Sequence, residues 1–145
     1  MDLESQLRLK QDVPEVGEFL SSISGSLVHR DTDSKGLYWA AIPSASSTSR
    51  PFIARIAWTA YPHAAPSVLF ADEVGGATTD PESWPAAPGY RAPNDICKPF
   101  TAEGQALHSE WRTGPHAWRS AGNPFLHVVE TICGDLARAD GRRAA

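Results

Sequence analysis

The chain has 145 residues, with 13 Lys+Arg against 17 Asp+Glu for a formal net charge of −4. That length suits one domain over 1–145, core about 3–140, and the acidic balance argues against a general nucleic-acid binder, which normally shows a basic face. No apolar run approaches the roughly 20 residues needed to cross a bilayer, so no membrane role is expected. The polar start Met1–Gln6 lacks the basic-then-apolar order of a secretory signal. Two cysteines cannot form a disulfide framework, and they suit a reducing cytoplasmic setting.

Taken in chain order, the first predicted element is a helix. Apolar residues at Leu3, Leu7, Leu9, Val13, Val16, Phe19, Leu20 and Ile23 recur at spacings of three and four, which predicts one core-facing stripe. Pro14 interrupts that pattern, since proline removes a donor and clashes with the preceding turn; alternatively Asp12-Val13-Pro14 restarts the helix. Ser26–Arg30 reads as a short strand ending in the polar turn Asp31–Gly36. Leu37–Ile42 is a second strand, stopped by Pro43. Phe52–Trp58 is a third, with Phe52, Ala54, Ile56 and Trp58 alternating onto one face. The short low-complexity run Ser44–Ser49 between them reads as a flexible hairpin loop. Tyr61-Pro62 breaks the chain before a fourth strand, Ser67–Phe70. One helix and four closely spaced strands predict an antiparallel meander in an α+β domain.

From Asp72 to Asn123, six prolines and six glycines exclude long regular elements, and long loops in compact domains tend to carry function. A final helix follows, with Asn123 as cap, Pro124 at its first position, and Phe125, Val128, Val129, Ile132, Cys133 and Leu136 as its apolar stripe. Arg138 suits its last turn and Gly141 its stop, leaving a frayed tail to Ala145.

The two cysteines differ in kind. Cys133 lies on the apolar stripe and reads as a small buried hydrophobe. Cys97 stands in the polar, proline-rich loop Arg91–Phe100, where another molecule can approach it. At an unperturbed pKa near 8.5 only about 3% of such a thiol is thiolate at pH 7, so a nucleophile there needs tuning by its surroundings. The incidental loop cysteine is the competing reading. The succession Cys97, His108, His116, His127, Cys133 contains no C-x2-C or H-x3-H spacing, so no metal site is expected. The chain also lacks G-x-S-x-G and both glycine-rich phosphate loops, so neither a serine hydrolase nor a nucleotide cofactor is expected.

The segment Tyr61-Pro62-His63-Ala64-Ala65-Pro66-Ser67-Val68-Leu69-Phe70 resembles the YPxxPPxVxF signature of ubiquitin-conjugating enzymes, with Ala65 in place of the first paired proline. Trp39 stands where the family has its second-strand aromatic, and Ile96-Cys97 is similar to the pair that holds the catalytic cysteine. A downstream tryptophan, Trp111 or Trp118, and the helix through Ile132-Cys133 extend the resemblance over roughly Leu3 to Leu136. Departures accompany it. The HPN tripeptide is missing, with Pro93-Asn94 its nearest echo; an insertion surrounds Gly75 to Gly89; and Lys98-Pro99-Phe100-Thr101 replaces the usual leucine-acidic run. These mark a divergent member, and the alanine- and arginine-rich composition is compatible with a bacterial one.

The resemblance implies a UBC-like fold and a thiol relay. An ATP-dependent activating enzyme would pass the C-terminal glycyl group of a ubiquitin-like protein to Cys97, which would deliver it to an amine of a target protein. Asn94 and backbone N–H groups near Cys97 are the candidate donors to the oxyanion. His108 or Asp95 would accept the proton of the amine or orient it. Turn residues at Asn94-Asp95 and a surface histidine at His108 are the plain alternatives. Two rival functions stand beside this one: a non-catalytic UBC-variant or RWD-like binding module, and an unrelated thiol enzyme using Cys97 and His108.

Overall fold

The computed structural model describes residues 1–44 and 50–145, so most of the run read as a flexible loop, residues 45–49, lies outside the described residues. Helix α1 covers Leu3–Ser22 and opens on a cap in which the Asp2 carboxylate accepts the Ser5 N–H at 2.8 Å. It runs through Pro14 without a restart. Pro14 and Lys10 both lie on the exposed side, so the Lys10 carbonyl that loses its helical donor stays within reach of water.

Four strands follow, β1 Ser26–Val28, β2 Leu37–Ile42, β3 Phe52–Ala57 and β4 Ser67–Ala71. They form one antiparallel sheet in the order β1-β2-β3-β4, with Val28 opposite Trp39, Trp39 opposite Arg55 and Ile53 opposite Ala71. The predicted helix, meander and closing helix are therefore present. The first and third strands each stop short of the predicted end, and the fourth gains Ala71. Helix α3, Pro124–Arg138, begins as expected, with the Asn123 side chain accepting the Leu126 N–H at 3.0 Å and Pro124 in the first turn.

Alternation divides the sheet. Tyr38, Ala40 and Ile42 of β2 and Phe52, Ala54 and Ile56 of β3 join Val68 and Phe70 in a core shared with the two long helices. The helices contribute Leu9, Val16 and Leu20 from α1 and Phe125, Val128, Val129, Ile132 and Leu136 from α3. The α1 stripe is not the one its spacing suggests: Leu3 is 70% and Leu7 54% exposed, and Ile23 sits outside the helix as its cap. Ser5, Leu9, Val16 and Leu20 form the buried stripe from the first turn to the last, and at about 3.6 residues per turn Leu3 and Leu7 lie well round the helix from it.

On the other face a smaller cluster gathers Trp39, Ile53 and Ala71. Trp39 lies beneath two guanidinium groups, with Arg30 at 5.4 Å and Arg55 at 5.9 Å from its ring. Its indole N–H donates to Asp33 Oδ2 at 3.0 Å, and the Asp33 side chain, 1% exposed, also pairs with Arg30 at 2.7 Å. These bonds, the Arg30 guanidinium foremost, hold the Asp33 carboxyl down at about 2.

The long segment after β4 is ordered by anchors rather than by long elements. It contains 3-10 turns at Pro81–Ser83 and Ser109–Arg112, a hairpin of β5 Tyr90–Arg91 and β6 Asp95–Ile96, and helix α2 Ala102–Leu107. Trp84 is fully buried against Phe70, and its indole donates to the Thr78 carbonyl at 2.9 Å. The C-terminal tail is not frayed. Its Ala144 N–H donates to the Trp84 carbonyl, its Arg142 carbonyl accepts the Ala86 N–H, and Arg143 pairs with Pro85 and stacks 4.1 Å from the Phe52 ring centre. Backbone groups exposed by the Pro85 region need partners, and the tail supplies them. No helix among the described residues is long and apolar enough to cross a membrane.

The Asp33 cluster sets an expectation for acid stability. A carboxyl whose folded value lies below its ordinary 3.8 contributes stability above about pH 4, and loses it as pH falls toward 2. Asp33→Asn should lower Tm at pH 7 by roughly 3–6 °C and flatten the pH dependence between 4 and 2. Thermal melts of both proteins across that range check it; parallel slopes would remove Asp33 from the acid response.

Candidate functional site

Cys97 follows directly on the β5–β6 hairpin. The hairpin closes through the Asn94 N–H donating to the Arg91 carbonyl at 2.8 Å and a two-pronged Arg91–Asp95 pair at 2.7 and 2.8 Å. Its inner side is fixed by Tyr90, whose hydroxyl donates to Asp135 Oδ2 on α3 at 2.8 Å. Burial, reinforced by the Asp135 charge, pushes the Tyr90 hydroxyl far above its usual range, so it stays a proton donor.

The backbone of Cys97 and Lys98 is gripped from several sides. The Cys97 N–H donates to the Gly89 carbonyl at 2.7 Å. Thr101, fully buried, donates its hydroxyl to the Ile96 carbonyl and its N–H to the Lys98 carbonyl, while its oxygen accepts the Gly104 N–H at 3.0 Å. Ala102 N–H, at the start of α2, donates to the Pro66 carbonyl and so ties this segment to the entry of β4. Glycine is required at two contacts. A Cβ on Gly104 would stand 2.0 Å from the Lys98 carbonyl oxygen and 2.6 Å from its nitrogen, against backbone that has little freedom to move. Gly89 has φ of +84°, and a Cβ there would meet Lys98 Cε at 2.9 Å and the Cys97 carbonyl at 3.1 Å.

The gripped segment separates two grooves. Lys98 lines one of about 280 Å³ together with Ala86, Pro88, Asp135, Arg138, Ala139 and Arg142. Pro99 and Phe100 line the other, about 470 Å³, opposite Trp118, Arg119, Asn123 and His127. The Trp118 indole donates to the Pro62 carbonyl at 2.8 Å, closing the second groove against the Tyr61–Pro66 turn.

The four residues singled out from sequence do not converge. Cys97 is half-buried and has no disulfide partner. Asn94 is exposed at the hairpin turn, separated from Cys97 by the two strand residues, which at strand rise is about 10 Å. Asp95 is held by Arg91. His108 lies beyond the end of α2, with Nδ1 2.7 Å from Glu110 and its ring stacked 4.0 Å from that of Trp111. Among the described residues no hydrogen bond, ion pair or ring contact joins Cys97 to Asn94, Asp95 or His108. The Cys97 N–H, one of the backbone groups considered as an oxyanion donor, is already engaged by Gly89. The Lys98 N–H has no acceptor among the described residues. Gly89, Thr101 and Gly104 escaped the sequence reading; the one available signal was Thr101 three residues ahead of Gly104, an N-cap spacing. Among the described residues no three His, Cys, Asp or Glu side chains come together as a metal ion would require.

Cys133 provides the contrast. It packs in an apolar groove with Ile23, Ile42, Phe52 and Leu136, and burial, with a smaller contribution from the Glu130 charge, pushes its thiol up to about 11. At pH 8 only about one Cys133 in a thousand is thiolate, so iodoacetamide should consume Cys97 well before Cys133. Peptide mass mapping over a time course tests this order, and faster loss of Cys133 would reverse the assignment.

The glycine contact gives a second test. Gly104→Ala should destabilise the protein by about 1–3 kcal/mol through overpacking and alter the alkylation rate of Cys97. Gly17→Ala, at a helical position with nothing within 4 Å, should instead stabilise by about 0.4–1 kcal/mol and leave that rate unchanged. Urea denaturation with parallel alkylation reads both; an unchanged Cys97 rate in a destabilised Gly104→Ala protein would separate this contact from the thiol. No protein-family model, curated protein or solved structure matches this chain.

Proposed function

We propose that this chain is a divergent, cytoplasmic ubiquitin-conjugating enzyme of bacterial type with a UBC-like fold, carrying a ubiquitin-like protein as a thioester on Cys97. The observation that supports it most is the immobilised Cys97–Lys98 backbone between two grooves, fastened through Ala102 to the Tyr61–Pro66 segment that carries the sequence resemblance. In the first step the Cys97 thiolate attacks the glycyl carbonyl of the thioester on an ATP-dependent activating enzyme. The bond to that enzyme's sulfur breaks and its thiolate leaves. One thioester replaces another, so positioning matters more than driving force.

In the second step an amine of the target attacks the Cys97 thioester; the tetrahedral intermediate carries a negative oxygen and collapses to an amide as its bond to the Cys97 sulfur breaks and the Cys97 thiolate leaves. The Lys98 N–H, free of any acceptor among the described residues, is the donor nearest in sequence to that oxygen. Asn94 reaches it only with rearrangement of the exposed hairpin turn. Proton removal from the amine falls to His108, to Asp95 released from Arg91, or to a group brought by the target.

The dispersal of Asn94, Asp95 and His108 favours a second reading, a binding module of the same architecture that retains Cys97 without using it. A charging assay divides the two. Tagged protein is incubated with ATP and lysate of the source cells, and resolved on non-reducing gels with and without thiol reductant. The enzyme reading expects a reductant-sensitive, ATP-dependent upshift that is abolished in Cys97→Ala and largely kept in Cys133→Ala. Asn94→Ala should slow discharge to amines more than charging. An absent upshift in lysate with proven activating-enzyme activity would favour the binding module.

A further inference from the structure

We propose that the groove between Pro99 and His127 binds a free aryl phosphate, a small organic molecule whose flat ring carries a phosphate monoester directly. The site stands independently of the thioester reading. Its volume, about 470 Å³, lies within the roughly 300–1,000 Å³ typical of small-molecule sites. The chain as a whole is acidic, yet no carboxylate lines this groove, while Arg119 and His127 both do. The other grooves described differ in this respect. Those beside α1 hold Asp2 and Glu4 or Asp31 and Asp33, the one beside Lys98 holds Asp135, and the one at Cys133 holds no cation.

Both donors are unspent. Among the described residues neither the Arg119 guanidinium nor the His127 ring has a hydrogen bond or an ion pair. The third polar side chain, Asn123, is committed elsewhere. Its nitrogen donates to the Asp12 carbonyl at 3.0 Å and to Glu15 at 3.1 Å, and its oxygen accepts the Leu126 N–H. The start of α3 offers nothing further, since Pro124 has no N–H and those of Phe125 and Leu126 go to Tyr61 and Asn123. A permanent guanidinium beside an imidazole N–H suits a phosphate monoester, whose three free oxygens divide between fork and ring. A carboxylate has two oxygens, which fill the fork and leave the imidazole unused.

The rest of the lining suits a ring rather than a main chain. Pro99, Pro115 and Pro124 have no N–H to give. The Pro99 carbonyl is taken by Gln105 Nε2 at 2.8 Å, the Ala117 N–H by the Gly114 carbonyl at 3.2 Å, and the Asn123 carbonyl by the His127 N–H at 3.1 Å. An extended polypeptide docks largely through main-chain hydrogen bonds, and these walls have few to offer. They present proline rings and the half-buried Trp118 indole instead. The walls are also fixed. Gln105 Nε2 donates to the His116 carbonyl too, at 3.0 Å, and so ties the Pro99 side to the Pro115–Ala117 side, while Trp118 is pinned to Pro62. Charge and ring lie close together: Arg119 follows Trp118 directly, and His127 is one helical turn from Pro124, with about 5–6 Å between their Cβ atoms. A phosphate borne on the ring itself matches that interval, whereas a nucleotide sets a ribose between base and phosphate.

Isothermal titration of the full chain at about 50 mM salt compares phenyl phosphate with phenol, inorganic phosphate, adenosine monophosphate and a phosphotyrosyl hexapeptide. Phenyl phosphate should bind at least about tenfold tighter than phenol or inorganic phosphate, and no more weakly than the nucleotide or the peptide. The double variant Arg119→Gln, His127→Gln changes two exposed side chains and is checked for folding by circular dichroism. It should weaken phenyl phosphate at least about tenfold, as should Ala117→Glu, which sets a carboxylate into the lining. Lys98→Gln with Arg142→Gln should leave that binding unchanged, because those cations line the other groove. A smaller preference over inorganic phosphate would mark an adventitious anion contact and overturn the proposal. So would an absence of phenyl phosphate binding, binding that survives the Arg119, His127 variant, or binding that is lost in the Lys98, Arg142 variant. Tighter binding of the nucleotide or of the phosphotyrosyl peptide would overturn the free aryl phosphate as the occupant. The charging assay reads Cys97 alone and stands or falls separately.

Discussion

The Tyr61–Pro66 turn between β3 and β4 is the joint on which the remaining elements hang. A turn at the end of a sheet leaves main-chain carbonyls without ladder partners, and burying them unpaired would cost about 1–3 kcal/mol each. Here the partners come from distant parts of the chain: Pro62 accepts from Trp118, and Pro66 from Ala102. Tyr61 adds two more ties, donating to Asp12 of α1 and accepting the Phe125 N–H of α3 at 3.4 Å. Burial pushes the Tyr61 hydroxyl well above its ordinary range, so it remains a donor to Asp12 at any physiological pH. Asn123, the cap of α3, completes the bracket by donating to the Asp12 carbonyl at 3.0 Å. One turn thus sets α1, α3 and the segment bearing Cys97 relative to the sheet.

What could be read from the chain alone divides along physical lines. The meander was legible because its strands alternate against a helix-covered face, and period-two burial is a local property. Helix α3 was legible because its cap, first-turn proline and stripe agree with one another. The periodicity of α1 misled at Leu3 and Leu7, since spacings of three and four link neighbouring pairs while drifting round the helix, and the polar Ser5 rather than either leucine continues the buried Leu9–Val16–Leu20 line. Trp84 and the tail were illegible for a different reason. Their pairing joins residues about sixty positions apart through backbone bonds, and backbone donors carry no residue signature.

The candidate site repeats that division. Cys97 stood out by its setting in a polar, proline-rich loop, whereas Cys133 carried its stripe and packs in an apolar groove where burial, with a smaller push from the Glu130 charge, raises its thiol. Asn94, Asp95 and His108 were near Cys97 in sequence, but a hairpin sends its turn away from its base, and Arg91 and Glu110 engage two of the three. What surrounds Cys97 instead is a set of small or buried groups, Gly89, Thr101 and Gly104. Their contribution lies in what they leave open and what they bond, neither of which composition reveals.

That arrangement bears on the kind of chemistry the segment suits. A hydrolytic thiol enzyme needs a base within hydrogen-bond reach of sulfur, and among the described residues none contacts Cys97. Exchange between thioesters makes a lesser demand. Its leaving group and nucleophile are both thiolates, so its barrier falls mainly through fixed orientation of the sulfur and the carbonyl that it attacks. A main chain held by Gly89, Thr101 and Gly104 supplies orientation without committing any side chain. The same rigidity keeps the Lys98 N–H in a constant place, where a donor to a transient oxyanion loses nothing to reorganisation. Deprotonating an incoming amine is the demand this frame does not meet by itself, so in the proposed reaction it rests on the target or on a shift of the hairpin. Under the proposed reaction, that division of labour describes a carrier that charges readily and discharges only in the right complex.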